Sequence, residues 1–93
     1  MNKSEIDSAK IRLDAGLSGF LRETPLWILP GSAWGLDCAE VWLKLEHLQV
    51  GGSFKARGMA CRLLSQPMPA SGAIVASGGN AGIATAAAAR ALG

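Results

Sequence analysis

Two glycine-rich turns stand in the second half of the chain, and each opens directly onto a helical pattern. The first turn is Gly51–Gly52 and the second is Gly78–Gly79. Glycine lets the main chain adopt positive φ angles and approach a ligand closely. The N-terminus of a helix also presents free N–H groups and a partial positive charge, which attract anions. The sequence therefore predicts two helix N-termini suited to a small anion, although similar turns precede many helices that bind nothing.

Strand and helix patterns alternate along the whole chain. Apolar residues at helical spacing begin near Ser4, and Ser4 and Asp7 are the expected capping residues of this first helix. Thr24-Pro25 then leads into an apolar run that ends in a loop at Pro30. Later segments give two predicted strands and two further predicted helices: strands at Val41–Glu46 and Ala73–Ala76, helices at Ser53–Ser65 and Asn80–Leu92.

This alternation predicts the fold class. Strands separated by helices imply a parallel sheet with right-handed crossover connections. A parallel sheet is normally covered on both faces, and two strands do not complete one. We therefore expect an α/β parallel-sheet sandwich of which residues 1–93 form only the N-terminal part.

Composition excludes several classes of protein. The 93 residues are 49% hydrophobic and 17% charged, as in folded proteins, and a net charge of +2 is too small to suggest nucleic-acid binding. The polar N-terminus does not resemble a signal peptide, and prolines and glycines interrupt the uncharged stretch 63–89, so no membrane span is predicted. Cys38 and Cys61 form no CxxC pair and join no histidine cluster, which favours reduced thiols in the cytosol and no metal site.

Charge is distributed unevenly along the sequence. All seven acidic residues lie within residues 1–46, whereas the only charged residues after Glu46 are cationic: Lys55, Arg57, Arg62 and Arg90. A cationic, glycine-rich half favours a small anionic ligand, although scattered solvated charges would give the same pattern. Among the other polar and aromatic residues, His47 is most simply a solvated loop residue. Three tryptophans are expected to pack in the core or at its rim and not to form a stacking platform: Trp27, Trp34 and Trp42.

Lys55 is the most informative single residue, because it stands in the first turn of a predicted helix. Its charge opposes the helix dipole there, at a cost of roughly 0.3–1 kcal/mol. Phe54 before it and Ala56 after it exclude a phosphate-binding P-loop, and the dinucleotide fingerprint is absent. A lysine amine attacks carbonyls only when unprotonated, and the helix N-terminus and Arg57 both favour that form. Lys55 is therefore a candidate nucleophile, with a solvated surface lysine as the alternative.

The two glycine turns lie within longer motifs. GSFKARG (Gly52–Gly58) together with ASGGNAG (Ala76–Gly82) resembles the fold type II pyridoxal 5′-phosphate (PLP) enzymes, and among them the serine/threonine dehydratase (ammonia-lyase) family. Thr24-Pro25-Leu26 and Lys44-Leu45-Glu46-x-x-Gln49 resemble that family's N-terminal region in order and spacing. The resemblance implies a three-layer α/β sandwich like that of the tryptophan synthase β subunit, a bound PLP and a homo-oligomer at full length.

The resemblance also implies a role for individual residues. Lys55 corresponds to the lysine that carries the cofactor and can remove the α-proton of the substrate, and Phe54 flanks the cofactor ring. Asn80 corresponds to the donor to the ring oxygen of the cofactor. The substrate carboxylate is expected to bind a loop, largely through main-chain N–H groups, at Ser77, Gly79, Asn80 and Ala81.

The implied reaction is β-elimination from a small amino acid. L-Serine would give pyruvate and ammonia, and L-threonine would give 2-oxobutanoate and ammonia; the sequence does not decide between these substrates. Related threonine synthases usually have aspartate where this chain has Ala56, and related racemases have a catalytic serine where it has Gly78, so a dehydratase is favoured. The family's phosphate-binding loop and its partner of the pyridine nitrogen lie farther downstream, so these 93 residues alone are expected to have little activity.

Three readings of the function remain open on the sequence. The first is the PLP-dependent dehydratase, and the second is a threonine synthase or serine racemase of the same fold. The third is a non-catalytic α/β module that binds a small anion at its two helix N-termini. Apart from these functions, the sequence also allows a truncated, unfolded gene remnant, which cooperative folding of the purified chain would exclude. Lys55 separates the enzymes from the module, because only PLP chemistry requires a primary amine there and an anion-binding module should tolerate arginine.

Overall fold

The computed structural model describes residues Met1–Gly93 and contains three α-helices and one two-stranded sheet. Three short 3₁₀ turns at Gly31–Trp34, Glu46–Leu48 and Val50–Gly52 connect these elements. In chain order, the elements are α1 (Lys3–Gly16), β1 (Leu26–Pro30), β2 (Glu40–Lys44), α2 (Lys55–Leu64) and α3 (Asn80–Leu92).

Helix α1 begins with a capping box formed by Asn2 and Glu5, two residues before the predicted capping residues Ser4 and Asp7. Asn2 has an extended backbone, and its side chain accepts a hydrogen bond from the Glu5 N–H at 2.9 Å. Glu5 in return accepts from the Asn2 N–H at 2.7 Å, so two N–H groups at the helix start are satisfied. Asp7, one of the predicted capping residues, instead pairs with Lys3 across one turn of the helix.

The one sheet in these residues is an antiparallel pair, and the predicted parallel sheet is not seen among them. Strands β1 and β2 pair from Leu26 opposite Lys44 to Pro30 opposite Glu40. A parallel pair needs a crossover of a dozen or more residues, and the connection between these strands is shorter. Gly31 turns the chain at the end of β1, where a Cβ atom would collide with the main chain of Cys38. β1 was not predicted because its continuous apolar sequence lacks the alternation typical of a half-exposed strand.

The predicted strand Ala73–Ala76 does not form within these 93 residues. This segment is neither helical nor paired, and the side chain of Ile74 is 100% exposed. A strand is stable only when a neighbouring strand accepts and donates its main-chain hydrogen bonds, and no other strand of the chain pairs with this segment. The composition of the segment is typical of a buried strand, but composition does not show whether a second strand lies beside it to form the hydrogen bonds.

The two helices that follow the glycine turns were predicted correctly and pack against each other. α3 has the predicted bounds, and α2 starts two residues later and ends one residue earlier than predicted. Four fully buried alanines form the contact, and their small side chains let the two helix backbones approach closely: Ala56, Ala60, Ala84 and Ala88. Leu13 of α1 and Leu17, just after that helix, join this small core, and Cys61 packs at its edge.

The β1–β2 hairpin exposes most of its aromatic and aliphatic side chains. Trp27 and Trp34 are each 53% exposed and Trp42 is 59% exposed, so of the two expected positions, core or rim, none of the three lies in the core. Trp42 instead donates its indole N–H to the Glu40 carboxylate at 2.7 Å. The buried residues of the chain lie mainly where the helices meet and where the hairpin joins α2.

Gln49 connects the hairpin side of the molecule to the start of α2. Its side chain is 1% exposed and pairs with both main-chain groups of Arg22: it accepts from the N–H at 2.8 Å and donates to the carbonyl at 2.9 Å. The same side-chain oxygen accepts from the Val50 N–H, and the Gln49 carbonyl accepts from the Gly52 N–H. Gln49 thus fixes the chain just before the glycine turn that leads to Lys55.

Replacing Gln49 with alanine should destabilise the chain by about 1–3 kcal/mol, because buried main-chain groups lose their partners. Urea unfolding followed by circular dichroism measures this change in the free energy of unfolding. Gln66→Ala is the matched control, since Gln66 is exposed and should change stability by less than about 0.5 kcal/mol. Equal effects of the two substitutions would contradict the anchoring role of Gln49.

Candidate functional site

Lys55 lies in the first turn of α2, as predicted, and Ser53 caps that turn. Ser53 is buried, has an extended backbone, and accepts a hydrogen bond from the Lys55 N–H at 3.3 Å through its hydroxyl oxygen. Serine is a favoured N-cap residue for this reason. The sequence therefore determines locally where the helix begins, and so where the lysine stands in it.

The amine of Lys55 lies over the ring of Phe54. Its Nζ atom is 5.3 Å from the ring centroid, within the range of a cation–π contact. Lys55 is half-buried, while Phe54 is 61% exposed and packs against no core. A primary amine without an acidic partner beside an exposed aromatic ring fits a flat, aldehyde-bearing cofactor such as PLP.

The start of α3 has its own local cap. The Ser77 hydroxyl oxygen accepts from the N–H groups of Gly79 at 3.2 Å and Gly82 at 3.0 Å. The N–H groups of Asn80 and Ala81 have no acceptor within the chain. Of the predicted carboxylate-binding residues, Asn80 and Ala81 therefore offer free main-chain donors, whereas the Gly79 N–H is already bonded.

The tertiary structure brings the two glycine turns to the same side of the α2–α3 pair. Gly51 has a φ angle of 76°, and a Cβ atom there would lie 3.4 Å from Ile83 Cγ2 and 3.8 Å from Ala84 Cα. The turn that precedes Lys55 therefore packs directly against the first turns of α3. This contact places the predicted cofactor-binding and substrate-binding segments on two helices that begin beside each other.

Glu46 organises the polar contacts behind α2. One carboxylate oxygen, Oε1, forms an ion pair with the Arg57 guanidinium. The other, Oε2, accepts from the Thr24 hydroxyl at 2.6 Å and from the Gln49 side-chain amide at 3.4 Å. Lys44 completes the cluster by donating to the Thr24 carbonyl at 2.9 Å and to its hydroxyl at 2.6 Å.

This cluster changes the expected electrostatics of the site. Because Glu46 neutralises Arg57, Arg57 is not the uncompensated cation beside Lys55 that the sequence suggested. The hydrogen bond from Arg57 is the main reason that the pKa of Glu46 falls from 4.5 to about 2, while burial opposes this shift. In the sequence, Glu46 and Gln49 stand out only as members of a family motif. One sequence does not show that Glu46 pairs with Arg57, because it does not show which residues become neighbours in the fold.

A large cavity lies away from Lys55 and from the start of α3. It has a volume of about 1000 Å³ and lies between α1 and α2, next to Leu13, Arg57 and Cys61. None of the predicted cofactor- or substrate-binding residues lines it. The candidate site is therefore an open surface formed by the starts of α2 and α3. Its residues are recognised by their chemical groups, because the large cavity does not include them.

His47 and the two cysteines lie at the surface or at the edge of the core. His47 is exposed in the turn after β2, as expected for a solvated loop residue. Cys38 and Cys61 are free thiols, and no cluster of potential metal ligands is present. No helix combines the length and the hydropathy that crossing a bilayer requires.

Comparison with known proteins agrees with the lysine-bearing motif. A family model described as pyridoxal-phosphate dependent enzyme matches residues 17–93. The chain belongs to this family. Lys55 and the α3 start both lie inside the matched region, as does the whole Glu46 cluster.

Two relatives of the chain carry dehydratase names. It is 38% identical over 78 residues to the "L-threonine dehydratase catabolic TdcB" of Staphylococcus aureus strain N315, a match that covers 82% of this chain and 21% of the relative. It is 42% identical over 84 residues to the "Serine dehydratase-like" protein of Mus musculus, which covers 84% of this chain and 24% of that relative. The chain thus spans about a fifth to a quarter of the length of these relatives. No solved structure matches it.

The lowered pKa of Glu46 predicts an acid-sensitive contribution to stability. Because the folded-state pKa is about 2 and the ordinary value is 4.5, the contribution is complete above about pH 4.5 and is lost as pH falls towards 2. We expect Glu46→Gln to reduce the free energy of unfolding by on the order of 1–3 kcal/mol at pH 6, and by much less at pH 2. Urea unfolding at several pH values measures both chains.

The control for this pH dependence is Glu23→Gln, which removes an exposed carboxylate. Its difference from the unsubstituted chain should stay small at every pH. A Glu46→Gln difference that is constant from pH 6 to pH 2 would show that the ionised carboxylate does not provide the stabilisation.

Proposed function

We propose that this chain provides the lysine-bearing, N-terminal part of a PLP-dependent catalytic domain that converts L-serine or L-threonine to a 2-oxo acid and ammonia. The observation that carries the proposal is the half-buried primary amine of Lys55, held at a helix start beside Phe54 within a matched PLP-enzyme region. The names of the two dehydratase relatives support the choice of reaction.

Lys55 would have two tasks. Its Nζ atom would hold the cofactor covalently, with the Phe54 ring beside the cofactor ring. Once a substrate amine has replaced it, the same atom could accept the proton from the α-carbon of the substrate. Bound PLP would supply the sink for the electron pair left at that carbon.

The start of α3 would orient the substrate. The free N–H groups of Asn80 and Ala81 point to carboxylate binding at a helix N-terminus, where the helix dipole favours an anion. Ser77 still has a hydroxyl hydrogen to donate, because its oxygen acts only as an acceptor to Gly79 and Gly82. Gly79 would have to exchange its bond to Ser77 for one to the carboxylate. The Asn80 side chain is exposed, so it is free to donate to the ring oxygen of the cofactor.

The overall reaction balances without an external oxidant or reductant. The α-proton and the β-hydroxyl leave the amino acid as water, and water then replaces the amino group, which is released as ammonia. L-Serine would yield pyruvate and L-threonine 2-oxobutanoate. Gly78 has no hydroxyl that could act as a second acid or base, and Ala56 replaces the aspartate usual in threonine synthases, so a racemase or threonine synthase is less well supported.

The complete enzyme is proposed to be a three-layer parallel sandwich and a cytosolic homo-oligomer acting on a small amino acid, with no nucleic-acid or membrane partner. In that fold the unpaired segment Ala73–Ala76 would become a strand of the parallel sheet. A second candidate function, an anion-binding module without catalysis, is favoured by one observation: the free N–H groups at the start of α3 would bind an anion whether or not Lys55 reacts.

Lys55 should be the site of covalent PLP attachment. After incubation with PLP and reduction with borohydride, mass spectrometry of peptides should find the adduct on Lys55, because its amine is held at a helix start while the other lysines are ordinary surface amines or hydrogen-bonded to Thr24. Lys55→Arg should abolish this adduct, since arginine keeps the charge and removes the primary amine. Lys10→Arg, at an exposed position of α1, is the matched control and should leave it unchanged.

Turnover requires a complete site, so it is measured in a chimera in which residues 17–93 replace the matching segment of the S. aureus dehydratase. The chimera should release 2-oxo acid from L-serine or L-threonine, and Lys55→Arg should lower the rate by at least about 10²–10⁴-fold. An adduct scattered over several lysines would overturn the enzyme proposal. Phosphate binding that survives Lys55→Arg without any specific adduct would favour the anion-binding module.

A further inference from the structure

The position of the Lys55 amine depends on the main chain of α2, because few side-chain contacts hold it. Its Nζ atom forms no side-chain hydrogen bond or ion pair, and it lies over the exposed ring of Phe54. The chain enters the helix through Gly51 and Gly52, which have φ angles of 76° and 79°. Two successive glycines restrict the backbone very little, so local sequence alone does not fix the direction in which α2 starts.

Contacts on both sides of the glycine turn supply the missing restraint. Before the turn, Gln49 is fixed to the main chain of Arg22. After the turn, Arg57 forms the ion pair with Glu46, and its N–H closes the first helical turn on the Phe54 carbonyl at 3.3 Å. Arg57 is two residues beyond Lys55, so its guanidinium holds the turn of helix from which the amine projects.

Glu46 alone contacts both sides. Its Oε2 atom accepts from the side-chain amide of Gln49, and its Oε1 atom binds Arg57. The Glu46 side chain is 16% exposed, which reduces the competition from water for these contacts. One carboxylate therefore contacts both Gln49, before the glycine turn, and Arg57, after it.

We propose that Glu46, acting through Arg57, is a positioning residue that holds the first turn of α2 and thereby orients the Lys55 amine for reaction. For its catalytic consequence the proposal rests on the function proposed above. It assigns to the Glu46–Arg57 pair a role in the rate of the chemical step, beyond the stability of the chain. The pair does not touch substrate or cofactor, so its removal should affect turnover more than substrate binding.

The first test is hydrogen exchange in the 93-residue chain, followed amide by amide. Glu46→Gln should accelerate exchange at Lys55, Ala56 and Arg57 by roughly three- to tenfold, because the first turn of α2 opens more often. Glu40→Gln is the matched control, since Glu40 also accepts a side-chain hydrogen bond but lies exposed at the far end of β2. Exchange at α2 that is the same in both variants would overturn the proposal.

The second test separates positioning from folding by kinetics in the chimera. Glu46→Gln and Arg57→Gln should each lower kcat by roughly 10- to 100-fold, with KM changed less than about threefold, since small misplacements of a reacting group cost rate. The double variant should be no worse than either single variant if the two residues act as one pair. Additive losses, or a rise in KM at constant kcat, would overturn the proposal.

Two further outcomes are distinguishable. If Glu46→Gln fails to fold in a thermal melt, Arg57→Gln carries the test, because Arg57 is 41% exposed and its loss leaves Glu46 bonded to Thr24 and Gln49. Unchanged exchange at Lys55 in that variant would then overturn the proposal.

If the unsubstituted chain forms no specific PLP adduct at Lys55, the proposed function fails, and the catalytic part of this inference fails with it. If the adduct forms and Glu46→Gln matches Glu40→Gln in rate, the positioning role alone is wrong.

Discussion

The Glu46 carboxylate is the interaction on which the arrangement of this chain most depends. Its two oxygens receive hydrogen bonds from Thr24 and Arg57, which are 22 and 11 residues away in the sequence, and from the nearby Gln49. A partly buried carboxylate is costly unless its oxygens are satisfied, and here each oxygen has a donor. The result joins the segment before β1, the turn after β2 and the start of α2, and the low pKa of Glu46 reflects how strongly the charged form is favoured.

Around this cluster, the helices are held by small residues. The buried faces of α2 and α3 consist of alanines, so the helices approach closely and their starts lie side by side. The packing of Gly51 against Ile83 and Ala84 follows from the same closeness, since even a Cβ atom at Gly51 would be in van der Waals contact with α3. The candidate site is thus a consequence of helix packing: a reactive amine and a pair of free N–H groups are brought to neighbouring helix N-termini.

The site residues differ in how far local sequence fixes them. Ser53 and Ser77 are local caps, and each sets the start of one helix by bonding N–H groups within five residues. Local capping explains why both helices were predicted nearly correctly, with α3 matching to the residue. The start of α1 was misplaced because Ser4 and Asn2 are both acceptable caps, and only the reciprocal bonds with Glu5 select Asn2.

By itself, the sequence determined the helices, the position of Lys55 in a first turn and the two motifs that identify the family, because these depend on residues close together in the chain. Only the tertiary structure decided the direction of strand pairing, the unpaired state of Ala73–Ala76 and the pairing of Arg57 with Glu46. Strand pairing and ion pairing depend on which distant segments become neighbours. The sequence of Ala73–Ala76 indicates that this segment could pair as a strand. Whether another strand lies beside it to accept and donate the hydrogen bonds depends on the whole fold.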